Sequence, residues 1–516
     1  MLNPKVIDSF LNRKLDSYDW MKREPRKALE EALNELTPVP KLGNLWLHQL
    51  VCFLIIETLH RFMLFIDMGG GKTLITLSVL RYRKQRGETP KAIVFVPYVT
   101  SVETWITEVK THAPELLCVP LYGSTAENYE KLITAKGDLY VISYPSAIAL
   151  FSKVRKNKKT GKNEWYLDRQ FLLETFDDFD SIIMDEIHKC KSASSLTFYM
   201  CRALSAHCEY AIGLTGTPFG RDLQDLWPQF YLIDFGDTLG DTFTLYREAF
   251  FKKKEKYWGG YEYKFKQKLF KKLQELIKNV SIRYRDDEFS DMPPAVTIPI
   301  HVRPHEGIAA YAKRSIATIN ETLAKGGKYR AIESEYLRLR QLSSGFMTLK
   351  GEDNNKVQVQ FDENPKLEAL QSLVEAMPTG CKMVVFHHFV YTNQLISDRL
   401  KAMKVPHARI YGKTKDPIAE LNRFKNDPEC TVLVLNSKSG SSSLNLQVAN
   451  YGVFFETPDS AIDWQQGRKR IYRPGQLKRV WFYDVIMNGT ADASMVKMNK
   501  EGKDLLHELL DNQMRL

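Results

Sequence analysis

The 516-residue sequence contains no apolar run that approaches the length of a bilayer span, so no membrane helix is expected. Residues Met1 to Trp20 are polar and mixed, without the apolar stretch of a secretory signal. Seven cysteines are scattered with no C-x-x-C pair, which argues against a zinc knuckle or a disulfide framework and places the chain in a reducing cytosol. There is no solenoid-type repeat and no low-complexity segment. What is present is a 44% hydrophobic content, enough for packed cores and unlike a disordered profile. The length is too great for one ordinary core, so two or more domains are expected. A formal net charge of +11 suits a polyanionic partner such as nucleic acid, although a basic surface also serves solubility.

Along the chain, residues 1–41 read as a helical lead-in, with Lys27 to Leu36 at helical spacing. From 42 to 235, short apolar runs (Phe62–Ile66, Ile93–Val96, Leu139–Ile142, Ile182–Met184, Ile212–Leu214) alternate with helix-like stretches. That rhythm predicts a parallel sheet flanked by helices. It stops over 236–360, which is charged, aromatic and mainly helical in pattern. It resumes over 361–500 with Met383–Phe386, Ala408–Ile410, Val432–Leu435, Val453–Phe455 and Trp481–Val485, and residues 501–516 read as a terminal helix. The expected fold is α/β, with two tandem parallel-sheet domains and a helical insertion between them.

Two strings at the exits of expected strands carry chemistry. Asp67-Met68-Gly69-Gly70-Gly71-Lys72-Thr73 follows the first apolar run. A glycine-rich turn lets backbone N–H groups converge on one anion, and the next helix adds its positive end. Lys72 would reach the β- and γ-phosphates of a nucleoside triphosphate, and the Thr73 hydroxyl would hold Mg²⁺. One departure is that the glycine usual five residues before Gly71 is Ile66. The second string is Asp185-Glu186-Ile187-His188. Asp185 can coordinate Mg²⁺, in part through water, and Glu186 can position and polarise the attacking water. In the second half, Gln466, Arg470 and Arg473 lie in an arginine-dense run. Arg470 and Arg473, three apart, would share one face of a helix, and an arginine aimed at a γ-phosphate stabilises transition-state charge; a solvated basic helix end is the plainer alternative.

The ordered set of strings resembles the superfamily 2 helicases, specifically the SNF2-like (Swi2/Snf2) group of double-strand DNA translocases, over roughly residues 42–500. His48-Gln49 resembles the glutamine motif, which implies that Gln49 reads adenine. Asp67 to Thr73 resembles motif I, with Gly69, Gly70 and Gly71 in the phosphate cradle. Ile93 to Pro97, with Trp105, resembles motif Ia, and Ile142-Ser143-Tyr144 the next nucleic-acid contact, which implies DNA-binding roles for Pro97 and Tyr144. Asp185 to His188 is similar to the DExH box. Leu214-Thr215-Gly216-Thr217-Pro218 is similar to motif III, implying that Thr215, Thr217 and His188 couple nucleotide state to movement. Gln466, Arg470, Arg473, Gly475 and Gln476 are similar to motif VI. Motif V runs Ser439-Gly440-Ser441-Ser442-Ser443-Leu444-Asn445-Leu446, with serines where glycines are usual; Gly440, Ser441 and Asn445 are its implied DNA contacts. The resemblance implies two RecA-like domains, ATP and Mg²⁺ as cofactors, and duplex or branched DNA as partner. With no bromodomain-like, chromo-like, zinc-binding or nuclease motif beside this core, a compact bacterial or phage-encoded enzyme of the cytosol is expected, a monomer without an obligate protein partner.

Two basic stretches stand outside these strings. Residues 152–166 read as an exposed hairpin whose Lys158 and Lys159 contact DNA, either as a strand-separating wedge or as a solvated loop. Residues 252–266 interleave lysines with aromatics, which suits a nucleic-acid surface or a helix with its rings turned inward. Three activities remain open: a duplex translocase, a fork-remodelling or strand-separating helicase, and a nucleotide-gated clamp that does not cycle.

Overall fold

The computed structural model describes residues 3–13, 15, 21–156, 161, 163–219, 222–255, 261–289, 295–324, 329–350, 356–437, 444–473 and 476–511. The chain divides into two compact units, Met1–Lys254 with Glu262–Ser290 and Leu505–Leu516, and Glu255–Tyr261 with Asp291–Asp504.

The first unit is built on a seven-stranded parallel sheet in the order Ser281–Tyr284, Arg61–Ile66, Tyr210–Leu214, Ser181–Asp185, Ala92–Val96, Leu139–Ser143, Cys118–Leu121. Side chains alternate between two cores: Phe62, Leu64 and Ile66 enter one, Met63 and Phe65 the other. Burial on both faces is why these strands read as continuous apolar runs rather than alternating ones. The second unit carries a six-stranded parallel sheet in the order Val296–Val302, Trp481–Met487, Tyr451–Phe454, Met383–His387, Val432–Asn436, His407–Ile410. Here too Val384 and Phe386 face one core while Met383 and Val385 face the other.

Every strand expected from an apolar run is present. Three further strands join the sheets, all at edges. Cys118–Leu121 and Val296–Val302 contain Pro120 and Pro299, residues that lack an N–H and are tolerated where one strand flank is unpaired. Ser281–Tyr284 carries a charged Arg283 in mid-strand. The stretch 236–360, expected to be a helical insert, is divided between the units and supplies a strand to each sheet. It also holds the two-stranded ribbon Phe251–Glu255 with Tyr261–Phe265, the antiparallel ribbon Phe346–Lys350 with Lys356–Gln360, and the helices Glu306–Ala324 and Tyr329–Ser343. Lysines and aromatics over 252–266 therefore sit on a β-ribbon, with Lys252, Lys253 and Lys254 exposed. The terminal helix begins at Ala491, not near 501, and runs to Asp511. Among the described residues no helix is long and apolar enough to cross a membrane.

A buried ion pair ties the second unit together. Lys366 is fully buried, with Nζ 2.5 Å from Asp492 Oδ2 and donating to the Phe455 carbonyl at 2.8 Å. Removing one member of such a pair leaves an uncompensated buried charge at a cost of about 3–5 kcal/mol. Lys366→Met is therefore expected to lower the thermal midpoint of the second unit sharply, and Lys366→Met with Asp492→Leu to recover most of the loss. Equal melting of the single variant and the wild type would show that the pair is not coupled to stability.

Candidate nucleotide site

The phosphate loop leaves the buried strand Arg61–Ile66 and enters the helix Lys72–Gln85. Gly69 and Gly71 have φ of +84° and +81°, which side-chain-bearing residues adopt at a cost. A Cβ on Gly70 would fall 2.4 Å from Ile66 Cγ2, and one on Gly71 would fall 2.3 Å from Gln49 Nε2. Ile66 thus occupies the volume that Gly70 leaves open, which accounts for an isoleucine at the position where such loops usually carry glycine. The helix N-terminus has no side-chain cap, so its first N–H groups are available to an anion.

Neighbouring side chains hold the loop in shape. His48 Nε2 lies 2.7 Å from the Gly70 carbonyl, and Gln49 Nε2 donates to the same oxygen at 3.3 Å. Gln49 Oε1 accepts the Trp46 backbone N–H at 2.9 Å. Both ends of the amide expected to read adenine are therefore engaged by the protein, and Gln49 acts as a strut between its own helix start and the loop. Phe289 stacks on His48 with ring centroids 4.7 Å apart and on Trp46 at 6.0 Å. Burial lowers the His48 pKa against its hydrogen bond to Gly70.

Lys72 Nζ donates to the Ile66 carbonyl at 2.6 Å and to that of Asp67 at 3.4 Å. Burial lowers its pKa, opposed by the carboxylates of Glu186, Asp185 and Asp67. Arg283, whose role nothing in its local sequence signals, bridges the loop to the neighbouring strand exit. Its guanidinium lies 3.1 Å from Asp67 Oδ1 and donates to the carbonyls of Phe65 at 3.1 Å and Gly216 at 2.9 Å. Both side chains of this ion pair are buried.

The acidic pair sits two strands away, and the intervening strand is Tyr210–Leu214. This order places Thr215, at the exit of the middle strand, between the phosphate loop and the acidic pair. Glu186 has a left-handed backbone with φ +52°, unusual for a non-glycine residue. Thr215 Oγ1 donates to Glu186 Oε2 at 2.7 Å and accepts the Thr217 N–H at 3.1 Å. His188 Nδ1 lies 3.1 Å from the same Glu186 oxygen and 3.2 Å from Thr215 Oγ1. Burial would raise the Glu186 carboxyl, but its hydrogen bond and charge contact with His188, with help from Lys72 and Thr215, hold it below the usual range. Asp185 moves the other way, raised by burial and by the Glu186 charge.

Asp185 Oδ2 accepts the Trp105 indole N–H at 3.1 Å, and the Tyr144 hydroxyl donates to the Asp185 carbonyl at 3.1 Å. Tyr144 is 4% exposed and Pro97 is likewise buried. Tyr144, through that hydrogen bond, braces the acidic turn, and Val99 is the exposed residue beyond the Ala92–Val96 strand. Thr73 and Asp185 supply hard oxygen donors of the kind Mg²⁺ takes. Among the described residues no cluster of three or more His, Cys, Asp or Glu is arranged for a metal. A metal here would draw its other ligands from phosphate and water, which is the usual manner of Mg²⁺.

In the second unit, Gln466 and Arg470 lie on the helix Ala461–Ile471 and are buried. The Arg470 guanidinium is 6.0 Å from the Phe386 ring centroid. Tyr472 caps the helix in extended conformation, so Arg473 falls outside it and does not share a helical face with Arg470. Gln476 Nε2 donates to the carbonyls of Gln447, Ala449 and Ile471 at 3.0, 2.9 and 3.2 Å, pinning the helix end to the loop that carries exposed Asn445. Glu456 is a further hub that the motifs did not indicate: its carboxylate accepts from the Phe389 N–H at 3.0 Å and the Thr392 hydroxyl at 2.6 Å. Gly440, Ser441, Gly475, Lys158 and Lys159 lie outside the described residues.

A glycine loop, a lysine and an acidic pair at strand exits on one edge of a parallel sheet are the parts that a phosphate-loop nucleotide site requires. A family model for the SNF2-related domain matches residues 20–348 and one for the helicase conserved C-terminal domain matches 365–475, and the chain belongs to the SNF2-related family. It is similar to the ATP-dependent helicase MG018 of Mycoplasma genitalium, at 23% identity over 86% of this chain and 40% of the relative. It is similar also to the ATP-dependent helicase fft2 of Schizosaccharomyces pombe, at 22% identity over 99% of this chain and 45% of that one. The chain spans less than half the length of either relative. The solved SWI2/SNF2 ATPase core of Sulfolobus solfataricus in complex with dsDNA covers 92% of this chain and aligns over 99% of its own, at 19% identity and a TM-score of 0.38.

Proposed function

We propose that this protein is a DNA-dependent ATPase that converts ATP hydrolysis into movement along duplex DNA. The observation that carries the reading is the Glu186–Thr215 hydrogen bond beside the phosphate loop, in a chain of the SNF2-related family. In this reading the loop N–H groups and Lys72 bind the triphosphate, and Thr73 and Asp185 would hold Mg²⁺, which would supply neutralisation of phosphate charge. Glu186 positions the attacking water and accepts its proton. Thr215, bound to Glu186 and followed by Thr217, reports the change at the carboxylate to the segment beyond it. Arg470 and Arg473, if directed at the γ-phosphate, would stabilise its transition-state charge. Phosphate contacts make DNA binding salt-sensitive and largely independent of sequence.

The test is steady-state ATP turnover with and without duplex DNA. Lys72→Ala and Arg470→Ala are each expected to abolish the DNA-stimulated rate, Arg470→Ala by about a thousandfold as for other arginines that act on a γ-phosphate. Near-normal stimulated turnover in both variants would end the assignment. Displacement of a third strand from a triplex, against unwinding of a forked duplex, separates translocation from strand separation. Steady DNA-stimulated phosphate release excludes a clamp that does not cycle.

A further inference from the structure

Two aromatic side chains from separate segments hold Asp185. The Trp105 indole N–H donates to its carboxylate Oδ2 at 3.1 Å, and the Tyr144 hydroxyl donates to its carbonyl at 3.1 Å. Trp105 is 1% exposed. It lies on the helix Val99–His112, whose buried side is formed by Ser101, Val102, Trp105 and Val109, the spacing of one helical face. Its ring belongs to the core that also holds Val94, Val96 and Val102. Close packing leaves such a ring little freedom to turn, so the direction of its N–H is set by the core.

A buried indole needs an acceptor, and a backbone carbonyl would serve. Here the acceptor is a side-chain carboxylate at the exit of the strand Ser181–Asp185, and that residue is only half-buried. Its neighbour Glu186 has other partners, the Thr215 hydroxyl at 2.7 Å and His188 Nδ1 at 3.1 Å. The two carboxylates of the pair are therefore oriented by different side chains. Carboxylates that hold a metal are themselves oriented by hydrogen bonds from the protein, and losing such a partner costs about 10–100-fold in metal affinity or activity. We infer that Trp105 is the positioning residue for a divalent cation at Asp185. Its N–H holds the carboxylate so that Asp185, and not Glu186, takes the cation that accompanies the nucleotide. This rests on the reading of the chain as an ATPase that uses Mg²⁺, and adds to it the side chain that assigns the two acids their separate roles.

The experiment titrates Mg²⁺ into the protein with a fluorescent ADP analogue, without DNA and without turnover. Trp105→Phe keeps a ring in the core and removes the N–H. It is expected to raise the half-saturating Mg²⁺ concentration about tenfold and to leave nucleotide affinity in excess EDTA within about twofold. Asp185→Asn is expected to raise that concentration at least as far. The double variant should go no further than Asp185→Asn alone, because an indole that acts through Asp185 then has nothing left to orient. A role confined to packing would lower the denaturant midpoint and leave the Mg²⁺ requirement where it was. That result, or additive losses in the double variant, overturns the inference. If Trp105→Phe does not fold, the wild type supplies the test. With ¹⁵N-labelled indoles, the N–H signal displaced by Asp185→Asn identifies Trp105, and it is expected to move when Mg²⁺ joins ADP but not with ADP alone. A signal indifferent to Mg²⁺ overturns the inference as well. Blunt-duplex-stimulated ATP turnover of the wild type is measured in parallel. Its absence would defeat the motor reading, while Mg²⁺-dependent ADP binding would still decide the role of Trp105.

Discussion

Glu186→Gln is expected to reduce DNA-stimulated ATP turnover at least about a hundredfold, the scale of a lost general base, while ATP still binds. The amide retains the size of the carboxyl, so the left-handed turn at φ +52° and the packing around it are preserved. Its oxygen can still accept the Thr215 hydroxyl. What is lost is the negative charge, which contacts with His188, Lys72 and Thr215 favour against the upward pull of burial on this carboxyl. A neutral amide cannot take a proton from water and polarises it weakly. Fluorescent-nucleotide binding measured beside phosphate release distinguishes the two effects. Turnover within tenfold of wild type would remove Glu186 from the chemical step.

The second large effect is expected at Arg283. Arg283→Met should cost about 3–5 kcal/mol, because Asp67 would remain as a buried carboxylate without its cation, and two carbonyls would lose a donor. Because one guanidinium contacts Asp67, Phe65 and Gly216, the change also frees the phosphate loop from the segment that carries Thr215. ATP affinity should fall along with stability. Arg283→Met with Asp67→Asn should recover much of the stability without restoring the affinity, since the buried charge is gone but the bridge is still missing. Denaturant unfolding of both variants, beside ATP titration, provides the check. A stability loss below about 1 kcal/mol, the scale of an exposed pair, would show that the guanidinium is not the tie between these segments.

How much of this was legible in the sequence differs from residue to residue. The loop from Asp67 to Thr73 was readable because its geometry is local: glycines permit the positive φ angles, and the next residues start a helix. The central strands were readable because burial on both faces makes them uniformly apolar. The edge strands at 118–121, 281–284 and 296–302 were not, because a half-paired strand tolerates proline or arginine and so loses the pattern. That Tyr144 and Pro97 are buried was not legible, because linear order carries no information about facing. Arg470 and Arg473 would share a face only if both were helical, and the helix ends at Ile471, two residues before Arg473.

The sequence by itself determined the two α/β units, the phosphate-binding string, the acidic pair and the family, since each depends on short-range backbone preference or on an ordered set of motifs. Only the tertiary structure decided that the strand carrying Thr215 separates the two halves of the nucleotide site, that Gln49 braces the loop, and that an arginine more than 200 residues downstream anchors Asp67. Those results depend on strand order and on pairings between distant segments. They are set by which surfaces bury one another, and spacing along the chain does not encode them.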